Sequence, residues 1–258
     1  MTLHDNDKLI LITNDDGLYA AGLKTLTSVM QEFGKVVVIS ATESRSGMSQ
    51  ALTVKQPLRV KLLEETDDHR IYACSGTPTD GVKLTINQLL ERRPDLIVSG
   101  INHGSNASAS VLYSGTMAAA LEGCLYDITS VGFSLNSYSP AADFSACEDY
   151  IRKVCRYVIN EPLPKGICLN VNIPALPASE IRGIMVARQA KGSWQEEFEK
   201  RKDPMGKTYY WLTGNFVNHE PDATDTDEWA LANGYVSVVP VTTDMTAHSF
   251  INKLRLKL

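Results

Sequence analysis

Leu9-Ile10-Leu11-Ile12-Thr13-Asn14-Asp15-Asp16-Gly17 is the stretch on which the fold turns. A short unbroken apolar run that ends in a polar loop reads as a strand buried on both faces, as strands of a parallel sheet are. A helix should follow it. Leu23, Leu26, Val29, Met30 and Phe33 recur at helical spacing, Gly34 supplies a C-cap, and Val36-Val37-Val38-Ile39 is a second buried strand. Together these make a βαβ unit.

The same alternation continues outward. Thr77-Pro78-Thr79-Asp80 has the form of a helix start, with a Thr cap, Pro in the first turn and an acid three residues after the cap. Pro94 ends that helix and Leu96-Ile97-Val98 is a further buried strand, followed by an expected loop from Gly100 to Gly115. Met117 to Tyr126 reads as helix, Ser130 to Leu135 as strand, Phe144 to Ile159 as helix, and Ile167 to Ile173 as strand. Strand and helix in turn over about 130 residues imply a doubly wound, mostly parallel α/β sheet. Ile184 to Ala187, Tyr209 to Thr213 and Tyr235 to Val241 read as later strands. Between them, Lys191 to Lys207 carries Trp194 and Phe198 and a turn at Asp203-Pro204-Met205-Gly206, so it is expected to be a hairpin arm packed on another subunit.

Composition narrows the class. Of 258 residues, 43% are apolar and 21% charged, ordinary for a folded globular chain. A net charge of -5 speaks against a binder of nucleic-acid polymers, which carries a basic face. The five cysteines lack CxxC spacing and are odd in number, which suits a reducing compartment. The polar amino-terminal stretch Met1 to Lys8 lacks the form of an export signal, and Leu9 to Ile12 is far too short to span a bilayer, so a cytoplasmic location is expected.

Ligands of open parallel sheets bind at the carboxyl ends of the strands, and three loops there are unusual. These are Asn14-Asp15-Asp16-Gly17, Glu43-Ser44-Arg45-Ser46-Gly47, and Ser99-Gly100-Ile101-Asn102-His103-Gly104-Ser105-Asn106. Adjacent carboxylates repel, and burying both requires a cation or a proton. Asp15 and Asp16, with the oxygen donors Ser46 and Asn102, suit Mg²⁺ or Mn²⁺, whereas zinc would ask for His or Cys. His103 stands in the same loop, as a substrate contact or as a packing residue. Tyr113-Ser114-Gly115-Thr116 precedes a helix, where hydroxyls and free N–H groups either bind phosphate, cap the helix, or do both.

Missing motifs exclude other chemistries. There is no GxxxxGK[ST] for a P-loop, no GxGxxG for a nicotinamide cofactor, and no GxSxG for a serine hydrolase. Asn14-Asp15-Asp16 is not the Asp-x-Asp of an aspartyl-phosphate phosphatase, which leaves an activated water as the nucleophile.

Thr13-Asn14-Asp15-Asp16-Gly17, Arg45-Ser46-Gly47, Ser75-Gly76-Thr77-Pro78-Thr79-Asp80, Ser99 to Asn106, Ser114-Gly115-Thr116 and Gly234-Tyr235-Val236-Ser237-Val238 together resemble the SurE family of 5'/3'-nucleotidases, in family order across nearly the whole chain. The resemblance implies a single SurE-like unit over residues 1–258. Its Rossmann-like core would cover 1–190, and 191–258 would form a hairpin arm with a carboxy-terminal strand and tail that exchanges between the subunits of a homodimer or homotetramer. It further implies one divalent ion per subunit, held by Asp15, Asp16, Ser46 and Asn102, with Asp15 and Asp16 catalytic. Asn106, Ser114, Gly115 and Thr116 would hold the phosphate of a nucleoside monophosphate, and some relatives also shorten polyphosphate. A metal-dependent nucleotide-binding protein without turnover is the competing expectation. The chain departs from relatives at Ser40-Ala41-Thr42, where Ala-Pro-Asp is usual, and so lacks one acid at the edge of the site.

Overall fold

A computed structural model describes residues 8–195 and 197–254. The stretch 1–7, on which the export expectation rests, and Glu196 of the arm lie outside the described residues.

The chain opens with β1 (Lys8–Thr13), α1 (Ala21–Met30) and β2 (Gly34–Ala41). Side chains of β1 alternate between the faces of the sheet. Ile10 and Ile12 join Leu23, Leu26 and Met30 of α1 on one side, while Leu11 meets Val37, Ile39 and Val82 on the other. The three β1 residues are fully buried, each stabilising the fold by roughly 1.5–3 kcal/mol relative to exposure. That burial on both faces is why the run is continuous rather than alternating.

An antiparallel pair, β3 (Val60–Glu65) and β4 (His69–Cys74), comes next. It was not legible in the sequence, because β3 is largely solvent-exposed. Helix α2 (Pro78–Leu84) begins with the expected reciprocal cap. Asp80 N donates to Thr77 Oγ1 at 3.1 Å and Thr77 N donates to Asp80 Oδ2 at 2.9 Å.

Strand β5 runs Leu96–His103, so it overruns the expected loop by four residues, Gly100 to His103. Ile101 is fully buried, and pairing to β6 (Ser130–Asn136) resumes at Asn102 after an irregularity that begins at Ser99. Gly100 makes the irregularity feasible: its φ is +125°, and a Cβ there would stand 2.3 Å from the Phe133 carbonyl oxygen. A 3₁₀ turn at Ser108–Leu112 leads into α3 (Gly115–Leu125). After β6 follow α4 (Cys147–Asn160), β7 (Ile167–Pro174) and β8 (Gly183–Val186).

The arm is longer than expected. β9 (Gly192–Gln195) pairs with β12 (Asn215–Asn218), and β10 (Phe198–Lys202) pairs with β11 (Thr208–Leu212), both antiparallel. The chain then returns through α5 (Asp227–Ala232) to β13 (Tyr235–Thr242). β13 lies between β7 and β8, so the core does not end at residue 190. Its buried residues Val236 and Val238 complete the main apolar cluster.

The nine-stranded sheet has the order β3-β4-β2-β1-β5-β6-β7-β13-β8. Pairings are parallel except at β3–β4 and β7–β13. The chain winds outward from β1 through β2, then returns to lay β5 on the opposite side of β1. Such a reversal opens a crevice beyond the carboxyl ends of the two strands. Among the described residues, no helix is long and apolar enough to cross a membrane.

Candidate active site

The loop after β1 is tied down before any ligand is considered. Buried Asn14 donates through Nδ2 to the Gly17 carbonyl at 2.9 Å and accepts from Ser40 Oγ at 2.6 Å, fixing the loop to β2. The Arg45 amide donates to the Asp15 carbonyl oxygen at 2.7 Å, which brings the Ser44–Ser46 loop alongside.

Asp15 is 3% exposed and its Oδ1 accepts from Thr116 Oγ1 at 2.6 Å. Burial pushes its carboxyl above the ordinary carboxylate range, while the Thr116 hydroxyl and the Gly115 and Thr116 backbone groups pull it back. A Cβ on Gly115 would stand 2.8 Å from Asp15 Oδ2, so only glycine allows the helix so close. Asp15 is therefore the anion seated at the amino terminus of α3. Thr116 is fully buried with its hydroxyl engaged by Asp15, and neither Thr116 nor Gly115 lines the cavity.

Asp16 is half-buried and its Oδ2 accepts from the His103 amide at 2.8 Å. Burial first, and the charge of Asp15 second, push its carboxyl up to about 6. The His103 amide and the nearby Ser46 hydroxyl pull it back. Among the described residues no Lys or Arg forms an ion pair with either carboxylate.

Asn102 donates Nδ2 to the Gly104 carbonyl at 2.8 Å. A carbonyl only accepts, so this bond fixes the amide and turns the Asn102 oxygen away as a spare acceptor. The residues present thus fit a hard divalent cation: two carboxylates without a cationic partner, one orphan amide oxygen and one hydroxyl. The donors of these four side chains are all oxygen, which suits such a cation better than zinc. His103 contributes its backbone to Asp16, while its ring meets Phe144 edge-on at 6.1 Å and its buried Nε2 has no partner.

Asn106 is buried in a polar network that sequence reasoning missed. Its amide donates to Asn172 Oδ1, its carbonyl accepts from Asn170 Nδ2, and its Nδ2 donates to Ser134 Oγ, each at 2.8 Å. Asn172 Nδ2 in turn donates to Asn170 Oδ1 at 2.9 Å. The available signal was Asn170-Val171-Asn172, two amides on one face of an otherwise apolar strand.

These elements border a cavity of about 650 Å³. Of the residues expected at the site, Asp15, Ser46, Asn102, Asn106 and Ser114 line it. Asp16, like Gly115 and Thr116, is not part of the wall. The wall also takes in Tyr138 and the arm residues Trp194, Glu197 and Thr213, which were not expected there.

A Rossmann-like sheet with oxygen-only donors at its switch point defines an α/β protein of the class that works on phosphate groups with a hard divalent cation. The Survival protein SurE family model matches residues 10–196. A 5'-nucleotidase SurE of Flavobacterium psychrophilum is 51% identical over 95% of this chain and 96% of its own length. The 5'-nucleotidase SurE of Christiangramia forsetii is likewise 51% identical, over 95% of each. The crystal structure of the SurE protein from Aquifex aeolicus superposes with a TM-score of 0.82 at 35% identity, covering 95% of this chain and 98% of that one. This chain belongs to the SurE family.

Proposed function

We propose that the chain is a metal-dependent 5'-nucleotidase that hydrolyses nucleoside monophosphates to nucleoside and phosphate, with Asp15 and Asp16 as its catalytic carboxylates. The observation that carries this reading is the adjacent pair of buried Asp15 and half-buried Asp16, raised in pKa and without a Lys or Arg partner among the described residues, at the switch-point crevice. The relatives named as 5'-nucleotidases match it along nearly their whole length.

Asp15, Asp16, Ser46 and Asn102 would hold one Mg²⁺ or Mn²⁺ per subunit. When bound, such an ion supplies Lewis acidity toward a phosphate oxygen and a water. The chain's own groups do the rest. Thr116 and the start of α3 favour the ionised form of Asp15 that a cation requires, against the burial that opposes it, and the His103 amide does the same for Asp16. Asp16 orients the attacking water.

Ser114 and Asn106 face the phosphate. Asn106 presents its NH₂ to a phosphate oxygen once its amide turns over and the Ser134 hydroxyl donates instead of accepting, a change that a hydroxyl permits and a carbonyl would not.

The subunit arrangement follows from the arm. Phe198, Trp211 and Leu212 are 66%, 57% and 73% exposed on it, a surface suited to pairing with a second copy as a homodimer or homotetramer. Five buried free thiols support a reducing, cytoplasmic setting. The test is phosphate release from 5'- and 3'-nucleoside monophosphates and short polyphosphate, with Mg²⁺, Mn²⁺ or EDTA. Cation-dependent release from 5'-nucleotides is expected; tight binding without release would make the chain a nucleotide-binding protein instead.

A further inference from the structure

The cavity is larger than a phosphate needs, and its lining is of two chemistries. Part of it is polar, from Asp15, Ser46, Asn102 and Ser114. Part comes from the rings of Tyr138 and Trp194, with Glu197 and Thr213 from the turns between the arm strands. About 650 Å³ lies within the range of pockets that enclose a whole small organic ligand.

The aromatic part is built, not incidental. Tyr138 lies directly against the backbone of Gly104, where a Cβ would stand 2.4 Å from the ring, yet the residue is 68% exposed. One face is braced and the rest of the ring is open. Trp194 is braced edge-on by Phe216, with ring centroids 6.1 Å apart.

The root of the arm is bonded to the phosphate-side loop. Asp227, 1% exposed, accepts from the Ser108 amide at 2.8 Å and from the Ala190 amide at 2.9 Å. Ser108 Oγ donates to the Ala190 carbonyl at 2.9 Å. Ser108 follows Asn106 by two residues and Ala190 precedes Trp194 by four. The arm strand that carries Trp194 is thereby tied to the loop that carries Asn106.

The geometry points to a nucleoside subsite: Trp194 and Tyr138 form a stacking platform for the nucleobase of a nucleoside monophosphate, and Glu197 accepts from a base amino group or a sugar hydroxyl. This rests on the nucleotidase reading above and adds the part of the substrate it recognises. Rings stack on any base, so the platform selects nucleotides over other phosphomonoesters without choosing strongly among bases. A polyphosphate chain has no ring to place there and meets the charge of Glu197.

The experiment compares AMP with glycerol phosphate as substrates of the cation-loaded full chain and of Trp194→Ala, Tyr138→Ala and Trp194→Phe. Loss of a stacking ring should lower the ratio of kcat/KM for AMP to that for glycerol phosphate about tenfold. The change should fall on KM rather than kcat, and Trp194→Phe should keep most of the ratio. An unchanged ratio in both alanine variants overturns the subsite. Should the wild-type chain release phosphate from neither substrate, the nucleotidase reading fails, and calorimetry decides the subsite. Binding of AMP over glycerol phosphate that is lost in Trp194→Ala upholds it, and equal binding of the two ligands overturns it.

Discussion

The carboxylate part of the cavity lining and its aromatic part are built by opposite means. The first is formed at strand ends, with Asp15, Asn106 and Ser114 all under 10% exposed and each held by a hydrogen bond at 3.0 Å or less. The second is formed by a loop and an arm, with the Tyr138 ring open to solvent and Trp194 half-buried. The difference follows from what each must do. Bond cleavage depends on charges fixed before the substrate arrives. Recognition of a flat base asks only for braced apolar area.

The contrast can be broken most severely at the carboxylates. Asp15→Asn should abolish phosphate release while circular dichroism shows the fold retained, because the cation loses its most buried ligand. Next comes Gly115→Ala, whose Cβ would displace Asp15 and should lower kcat about a hundredfold in steady-state assays. Thr116→Val removes the hydroxyl that holds Asp15, and a drop of about tenfold in cation affinity is expected by titration with Mn²⁺.

Further from the reacting atoms the effects should shrink and change character. Asn172→Ala leaves the buried Asn106 amide without its acceptor, so denaturant unfolding should show a loss of about 1–3 kcal/mol. At the arm root, burial and the neighbouring Asp227 push the Glu228 carboxyl up to about 7 from an ordinary 4.5. The folded state therefore holds this proton more tightly than the unfolded chain does. Its stabilising contribution is complete below about pH 4.5 and is lost as pH rises through about 7. Glu228→Gln should flatten that part of the Tm-against-pH curve, with a gain in Tm above pH 7.

The two parts were also unequally legible. Asp15, Ser46 and Asn102 could be found because a polar loop at the end of a buried strand announces a ligand-binding edge, and strand burial is a local pattern. That the Gly115–Thr116 turn also seats Asp15 was not legible in the sequence. Which anion occupies a helix terminus depends on what the sheet brings beside it, and the sheet brings Asp15. Trp194 was visible as an aromatic of the arm, but its return to the cavity depends on Asp227 bonding to both Ser108 and Ala190. Those partners are 119 and 37 residues away in sequence, a separation no periodicity encodes. β13 was recognised as a strand, while its insertion between β7 and β8 is likewise a non-local choice.

The central claim is that the adjacent Asp15 and Asp16 act through a bound divalent cation. Its most direct test is phosphate release from AMP by protein stripped with EDTA and then titrated with Mn²⁺. The account predicts no release from the stripped protein and a saturable return of activity at one ion per subunit. Release at the same rate in EDTA as in Mn²⁺ would contradict it.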